Sequence, residues 1–380
     1  INYVNQKKDE LNKKNQEVKK EFKLIAEKIN NKKISILKET KENGDLYASI
    51  KPKEISVLIE KDYKIYGIVR RNSELFNYNR LSDIRDNLNL IYGDLTDSLS
   101  ISNIINTIIK ENNFDILEIY NLAAQSHVHI SFQIPEYTAQ VDGVGTLKIL
   151  ENIKLLDKSD RDKVKFYQAG TSEMYGEVLE IPQSEKTPFN PQSPYASAKL
   201  YSHFITKNYR ESYNIFACNG ILFNHESPRR GDNFVTKKII NYVKKVKCNN
   251  HLNEVLYLGN INSKRDWGHA KDYVIAMWLM LQQDSPSDYV IGMGETYTIR
   301  EFIEKSFKKI NIELEWQGVN LDEIGINKNT GEVLIRIDEK YFRPNEVDLL
   351  LSDPSKAKNL LGWKPEYDTL DKLIDSMLND

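Results

Sequence analysis

The sequence has few cysteines, no long apolar run and almost no net charge. Among its 380 residues only Cys218 and Cys248 are cysteines, which excludes a disulfide framework and predicts two reduced, inert thiols. No apolar run approaches the length of a membrane span, and no segment has the pattern of a secretory signal peptide. The net charge of -2 gives no global basic field that would attract nucleic acid. We therefore expect a cytoplasmic protein without membrane contacts.

The residues that are present have the balance of a globular protein. The hydrophobic fraction is 40% and the charged fraction is 28%, and the length allows one large domain or two ordinary ones. Residues 1–31 form a charged pattern with one narrow apolar stripe, which we interpret as a solvated helix and not a coiled coil. Residues 32–50 predict a β-hairpin, with strands at 33–40 and 46–50. Pro52 suits the first turn of another helix.

From Tyr63 onward, strands and helices alternate. Short apolar runs predict strands at 64–69, 88–92, 116–122, 164–169, 215–222 and 288–292. Longer helical patterns separate them at 98–111, 137–156 and 193–213. Such alternation predicts an α/β fold with a doubly wound parallel sheet. The stretch from about residue 296 mixes helices with polar loops, so we expect a smaller lobe at the edge of the sheet where ligands bind.

A tyrosine and a lysine lie four residues apart in the predicted helix 193–213. On a helix this spacing brings Tyr195 and Lys199 to one face. A nearby ammonium favours the phenolate, so we expect the tyrosine to act as a base nearer neutrality than its ordinary pKa of about 10 allows. The pair alone is unspecific, because the same spacing occurs on the surface of many helices.

A second polar group follows the predicted strand 164–169. This strand runs into Gly170-Thr-Ser-Glu-Met-Tyr-Gly176, which delivers hydroxyls and a carboxylate to the carboxyl edge of the sheet. Thr171 and Ser172 are also typical helix caps. Together with the downstream Tyr-Lys pair, they favour an active site.

These segments and four others resemble GDP-mannose 4,6-dehydratases, members of the extended short-chain dehydrogenase/reductase family. The matching runs, in family order, are Asn121-Leu-Ala-Ala-Gln-Ser-His127, Thr171-Ser-Glu-Met-Tyr-Gly176, Ser193-Pro-Tyr-Ala-Ser-Ala-Lys199, Gly220-Ile-Leu-Phe-Asn-His-Glu-Ser-Pro-Arg-Arg230, Lys264-Arg-Asp-Trp-Gly-His269 and Tyr341-Phe-Arg-Pro344. The resemblance begins near residue 57 and implies a Rossmann-like fold with its substrate lobe mainly from about 225–250 and 296–380. Gly170 departs from the family, which has serine there.

The resemblance implies a lyase that recycles its cofactor within one turnover. Tyr195, aided by Lys199, would take the proton of the sugar 4-hydroxyl while hydride leaves C4 for NADP+. Thr171 would position that hydroxyl. Glu173 would remove the C5 proton and return it at C6 as water departs. The product would be GDP-4-keto-6-deoxymannose, an intermediate of GDP-fucose biosynthesis, and NADPH would return its hydride to C6.

The resemblance also implies binding residues. Arg70 and Arg71 follow a predicted strand, where arginines favour the 2′-phosphate of NADP. The other cofactor-binding residues implied are Asp94, Leu95, Leu122, Ala123, Ala124, Ser126, Tyr137, Lys199, His225 and Arg230. For GDP-mannose, the resemblance and the fit of guanidinium groups to diphosphate indicate Asn224, Arg265 and Arg343. We expect a homo-oligomer, dimer or tetramer, and no metal.

Two elements of this family are missing from the matching part of the sequence, the first strand and the glycine-rich turn that follows it. A dinucleotide site needs a glycine-rich turn after the first strand, and the family has Thr-Gly-x-x-Gly-x-x-Gly there. The only glycines before Gly93 are Gly44 and Gly67, so the NADP site is predicted to be incomplete. Residues 1–56 instead resemble a fragment of the ninth large-subunit ribosomal protein, without its rRNA-binding half. We therefore divide the chain at 56/57 and do not expect ribosome or nucleic-acid binding.

These observations leave several functions open. The chain is an active dehydratase if residues 34–37 and the turn at Gly44 replace the missing element. Alternatively, it is a catalytically impaired or silent chimera that has lost its cofactor. A dehydratase of another nucleotide sugar and a ribosome-associated protein are the remaining alternatives.

Overall fold

The computed structural model describes residues 33–37, 63–70, 81–248, 254–342 and 345–379. The predicted helices in 1–31 and at Pro52 lie outside these ranges. The strands are β1 (Lys33–Leu37), β2 (Ile65–Val69), β3 (Asn89–Tyr92), β4 (Leu117–Asn121), β5 (Val164–Ala169), β6 (Phe216–Leu222), β7 (Asn224–Glu226), β8 (Leu256–Leu258), β9 (Lys264–Arg265), β10 (Trp267–His269), β11 (Tyr289–Ile291), β12 (Tyr297–Thr298), β13 (Leu314–Gln317), β14 (Ile324–Asn327) and β15 (Val333–Ile337).

The helices separate these strands. They are α1 (Ser98–Glu111), α2 (Val128–Ser131), α3 (Pro135–Thr138), α4 (Gly145–Lys154), α5 (Lys158–Arg161), α6 (Pro194–Tyr213), α7 (Val235–Cys248), α8 (Ala270–Leu281), α9 (Ile299–Lys308), α10 (Ser355–Leu360) and α11 (Leu370–Leu378). A π-helix (Ala139–Val144) joins α3 to α4. Short 3-10 helices occupy Ser82–Asn87, Ser172–Met174, Asn320–Asp322 and Glu339–Tyr341.

The main sheet has seven strands in the order β11-β6-β5-β4-β1-β2-β3. All six neighbouring pairs are parallel. The six strands predicted after Tyr63 match β2, β3, β4, β5, β6 and β11, with ends that differ by at most one residue. Helices cross between them, so the prediction of a doubly wound, Rossmann-like sheet is confirmed.

Strand β1 lies in the middle of this sheet, which corrects the predicted hairpin. Ile34 of β1 is in register with Ile65 of β2 on one side and with Glu118 of β4 on the other. Both hydrogen-bonding edges of β1 are therefore occupied by parallel neighbours, and the expected antiparallel pairing with residues 46–50 is excluded. Residues 33–37 take the first-strand position, so the expectation that the chain lacks its first strand was wrong.

Two apolar layers cover the main sheet, and a third core lies in the C-terminal part. On one face, α1 presents isoleucines at helical spacing to β2 and β4, namely Ile101, Ile104, Ile105 and Ile108. On the other face, α8 packs Tyr273, Met277 and Met280 near Trp363. The third core joins α7, α9 and α11 to β8 and β15. The proposed boundaries of the substrate lobe remain a prediction.

Helix α6 carries the Tyr-Lys pair, and its sequence sets both of its ends. The side chain of Ser193 accepts a hydrogen bond from the Ala196 N–H, and Pro194 follows at the first helical position. The helix ends at Asn214, whose φ of 53° is left-handed. Tyr195, Lys199 and Ser202 lie on its buried face, so the pair is held against the sheet.

A bidentate ion pair anchors α6 to the segment that enters β11. Arg210 donates from Nη1 to Oδ1 of Asp288 at 2.7 Å and from Nη2 to Oδ2 at 2.9 Å. Burial alone would raise the pKa of Asp288, but hydrogen bonding and charge from Arg210 outweigh burial and hold the pKa below its usual value. We expect Asp288→Asn to lower the free energy of unfolding at pH 7 by about 1.5–3 kcal/mol, because Arg210 loses a charged acceptor in a partly buried place.

Urea denaturation measures this loss, with Asp284→Asn, an exposed site nearby, as the control. Because the folded-state pKa of Asp288 is depressed, its stabilisation is complete above the unfolded value of about 3.9 and is lost at lower pH. The difference between the wild type and Asp288→Asn should therefore narrow as pH falls below about 4. An equal loss of unfolding free energy in Asp288→Asn and Asp284→Asn would contradict the stabilising role of the Arg210–Asp288 ion pair.

Candidate active site

A cavity of about 750 Å³ lies where the ends of β4, β5 and β6 meet the C-terminal part of the chain. Ligands of doubly wound sheets bind at this edge. Most of the predicted site residues line this cavity: Leu122, Ala124, Ser126, Thr171, Glu173, Tyr195, Lys199, Asn224, His225, Arg230 and Arg265. The polypeptide thus brings groups separated by more than a hundred residues to one space.

The turn after β5 supplies the threonine and the glutamate. Gly170 donates its N–H to the Gly220 carbonyl at 2.8 Å, and a Cβ at Gly170 would lie 2.8 Å from the same oxygen. This close approach explains why glycine suits the position in this chain. Thr171 then caps a 3-10 helix by accepting a hydrogen bond from the Glu173 N–H at 3.2 Å. Both side chains are 8% exposed, so they face the cavity from a rigid turn.

Tyr195 and Lys199 lie on the first turns of α6, opposite that turn. The Lys199 Nζ donates to the Ala169 carbonyl at 3.2 Å and lies 6.0 Å from the centre of the Tyr195 ring. The Tyr195 hydroxyl is hydrogen-bonded to Thr171. The threonine, the tyrosine and the lysine therefore form one connected group around the end of β5.

The ionisation of Tyr195 differs from our expectation. Burial raises the pKa of Tyr195 above its ordinary value, and the carboxylates of Asp142 and Glu173 raise it further. The hydrogen bond to Thr171 and the charge of Arg230 lower the pKa but do not outweigh burial. We expected Lys199 to bring the pKa of Tyr195 toward neutrality. Burial strips water from the phenolate, and this desolvation keeps the pKa of Tyr195 high in the protein without a ligand.

The Asn-His-Glu-Ser-Pro-Arg-Arg run forms another wall of the cavity. His225 stacks on Tyr273, with ring centres 4.7 Å apart, and its Nδ1 lies 2.9 Å from the Phe223 carbonyl. Arg230 forms a salt bridge at 3.1 Å with Glu226, a buried carboxylate that also accepts from Thr236 at 2.7 Å. Burial raises the pKa of Glu226, although Arg230 and Thr236 oppose the rise. The motif thus fixes its arginine through its own glutamate.

Arg265 and Asn224 line the part of the cavity expected to hold the nucleotide sugar. Arg265 is 5% exposed, and its Nη2 lies 3.0 Å from Oε1 of Glu346. The side-chain oxygen of Asn224 is buried and has no hydrogen-bond partner among the described residues. A guanidinium and an open amide acceptor suit the anionic and hydroxyl groups of such a ligand.

Five predicted cofactor residues do not line this cavity. Arg70 donates from Nη1 to the Tyr137 hydroxyl, so these two residues contact each other near the end of β2. Asp94 accepts the Thr96 N–H at 2.8 Å within its own turn. Leu95 and Ala123 are each 3% exposed and belong to the core beneath this edge. Arg71 and Arg343, two further predicted residues, lie outside the described part of the chain.

Three acidic residues at the site were missed by the sequence analysis. Glu226 is detectable in principle, because its spacing of four residues from Arg230 is that of a helical ion pair. Glu346, the partner of Arg265, is 81 residues away and has no local signal. Asp142 is the one charged residue between Glu136 and Lys148, which is the only hint that the sequence gives.

The described residues fit the nicotinamide end of a dinucleotide. The Ser126 hydroxyl is buried and has no hydrogen-bond partner within the described ranges, and Ser126 lines the cavity together with Lys199 and His225. A ribose or carboxamide group would satisfy such a hydroxyl. The pyrophosphate end belongs after Leu37, outside the described residues. Within those residues, no helix is long and apolar enough to cross a membrane, and no acidic, histidine or cysteine cluster could hold a metal ion.

Solved structures share this fold at low sequence identity. UDP-N-acetylglucosamine 4-epimerase from Methanobrevibacter ruminantium aligns with a TM-score of 0.69 at 21% identity, over 92% of this chain and 98% of that one. The dTDP-glucose 4,6-dehydratase from Bacillus anthracis, in complex with NAD, aligns with a TM-score of 0.66 at 18% identity, over 91% and 96% of the two chains. At these identities the likeness establishes the fold alone.

Sequence relatives are much more similar. A family profile described as GDP-mannose 4,6 dehydratase matches residues 54–377. The GDP-mannose 4,6 dehydratases of Drosophila melanogaster and Homo sapiens are each 53% identical, over 85% of this chain and 81% and 86% of theirs. The enzyme of Yersinia enterocolitica is 50% identical over 84% of this chain and 88% of its own. The chain therefore belongs to the GDP-mannose 4,6-dehydratase family.

Proposed function

We propose that the protein is a hydro-lyase that converts GDP-mannose to GDP-4-keto-6-deoxymannose with NADP as its recycled cofactor. The observation that carries the proposal is the convergence of Thr171, Glu173, Tyr195 and Lys199 on one cavity that also holds Asn224 and Arg265. Family membership supports the sugar and the nucleotide, because relatives at about half identity carry this activity in their names.

The residues divide the reaction between them. Thr171 holds the sugar 4-hydroxyl, and Tyr195 takes its proton. Since burial and two carboxylates raise the pKa of Tyr195, the phenolate needs positive charge nearby, for which Lys199 and Arg230 are available. When bound, NADP+ would supply a hydride acceptor for the oxidation at C4 and positive charge in the cavity. Glu173 then takes the acidified C5 proton and protonates the departing oxygen at C6.

The proposed binding residues are those that match binding positions in the motifs of the family. Ser126, Tyr137, Lys199 and His225 would hold the nicotinamide riboside, and Arg70 with Arg71 would pair with the 2′-phosphate. Arg265 and Arg343 would bind the diphosphate of GDP-mannose, beside Asn224. We also propose a homo-oligomer, either a dimer or a tetramer. Exposed aromatic side chains on α6, Tyr201 and Phe204, support this assembly, and light scattering tests it.

The experiment is an end-point assay with GDP-mannose and saturating NADP+. The expected result is a nucleotide sugar lighter by one water, detected by mass spectrometry, and its absence in Tyr195→Phe. The same assay is run on a variant with a restored glycine-rich segment after β1. Failure of both proteins to dehydrate GDP-mannose would overturn the proposed reaction. Activity of the restored protein alone would support the reaction and locate the defect in cofactor binding.

A further inference from the structure

Asp142 is a buried acid that the proposed reaction does not use. It lies on the π-helix Ala139–Val144 and is 1% exposed. The π-helix packs against α6, which carries Tyr195 and Lys199. Single π-turns within helices are rare and are frequent at functional sites. An ionisable side chain at such a turn therefore requires an explanation from its contacts.

The contacts of Asp142 join two walls of the cavity. Its Oδ1 accepts a hydrogen bond from the Gln125 N–H at 2.6 Å. Gln125 belongs to the segment 122–126, of which Leu122, Ala124 and Ser126 line the cavity. The main-chain carbonyl of Asp142 accepts from the Ser202 hydroxyl on α6. The residue therefore ties the predicted cofactor-binding segment to the helix that carries the tyrosine.

Asp142 also belongs to the set of charges around Tyr195. After burial, its carboxylate is the largest contribution that raises the pKa of Tyr195, ahead of Glu173. On the opposite side, Arg230 lowers that pKa, and the Lys199 Nζ lies 6.0 Å from the tyrosine ring. Thr171 contributes a hydrogen bond that also favours the phenolate.

We propose that Asp142 is a positioning residue. Its Oδ1 fixes the segment 122–126 through the Gln125 N–H, and its main-chain carbonyl joins this segment to α6 through the Ser202 hydroxyl. This role is independent of the proposed reaction. Asparagine retains an oxygen acceptor but loses the charge, whereas alanine loses both, so the two variants separate the hydrogen bond from the charge.

Hydrogen exchange in the full chain tests whether Asp142 holds the Gln125 N–H. We expect the peptide that contains the Gln125 amide to exchange at least about tenfold faster in Asp142→Ala and at nearly the wild-type rate in Asp142→Asn, because a buried charge-assisted bond is worth about a factor of ten or more. Peptides from the α7 region report whether the variants remain folded. Unchanged exchange in a folded Asp142→Ala protein would overturn the positioning role.

Discussion

The unmodified chain should bind NADP+ about a thousandfold more weakly than a variant whose residues after β1 are replaced by a Thr-Gly-x-x-Gly-x-x-Gly segment. The estimate counts the loss of two or three charge-assisted hydrogen bonds to the pyrophosphate, each worth about 1.5–3 kcal/mol. Strand β1 occupies the central position of the sheet, so the sheet itself does not lack its first strand. The chain lacks the glycine-rich turn that should follow this strand.

The sequence of this turn explains the expected weakness. In a doubly wound fold the pyrophosphate lies at the carboxyl end of the first strand, on bare backbone N–H groups. Here β1 ends at Leu37 and the sequence continues Lys38-Glu-Thr-Lys-Glu-Asn43, without a glycine. The two glutamates and two lysines of this stretch cancel in net charge, so the expected weakness comes from the loss of close backbone approach.

Calorimetric titration of both proteins with NADP+ measures the difference. A third protein, with the restored glycines changed to alanine, shows whether bare backbone and not segment length produces the gain. GDP-mannose should bind all three equally, because Arg265 and Asn224 lie in another part of the cavity. Micromolar binding of NADP+ by the unmodified chain would mean that residues 38–62, whose only glycine is Gly44, rebuild the phosphate site without the family's glycine-rich motif.

The sheet was predictable because its strands carry continuous apolar runs and its helices carry a distinct period. The position of β1 in the sheet was not predictable, because five residues with a strand pattern fit either a local hairpin or a parallel position inside the sheet. Local sequence favours the hairpin, through the turn at Gly44. The central position offers two hydrogen-bonded edges, with β2 and β4, and this nonlocal gain is invisible in the segment itself.

The active site shows the same division between local and nonlocal information. Tyr195 and Lys199 were singled out by their helical spacing, and Thr171 and Glu173 by their place after a predicted strand, while the resemblance to the family implied their roles. The structure brings all four to one cavity. The direction of the Tyr195 pKa was wrong because desolvation depends on surroundings that no motif contains. Asp142 was missed for the same reason, since its contact with Gln125 depends on how the segments pack together.

Replacing Glu173 with glutamine should reduce dehydration of GDP-mannose by about 10²–10⁴-fold while leaving its binding nearly unchanged. Glutamine keeps the shape and the N–H held by Thr171, but it cannot accept the C5 proton. The substitution should not impair the earlier deprotonation of the 4-hydroxyl. Glu173 raises the pKa of Tyr195, so removing its charge favours the phenolate.

Deuterium incorporation at C5 separates this step from the others. In heavy water with saturating NADP+, the wild-type or loop-restored protein should exchange the C5 proton, and Glu173→Gln should not. Glu177→Gln is the matched control, because Glu177 is exposed and only four residues away. Continued exchange at C5 in Glu173→Gln would assign the base to another group. The carboxylates near the reacting carbon would then have to be tested in turn, beginning with Asp142, which also contributes charge at Tyr195.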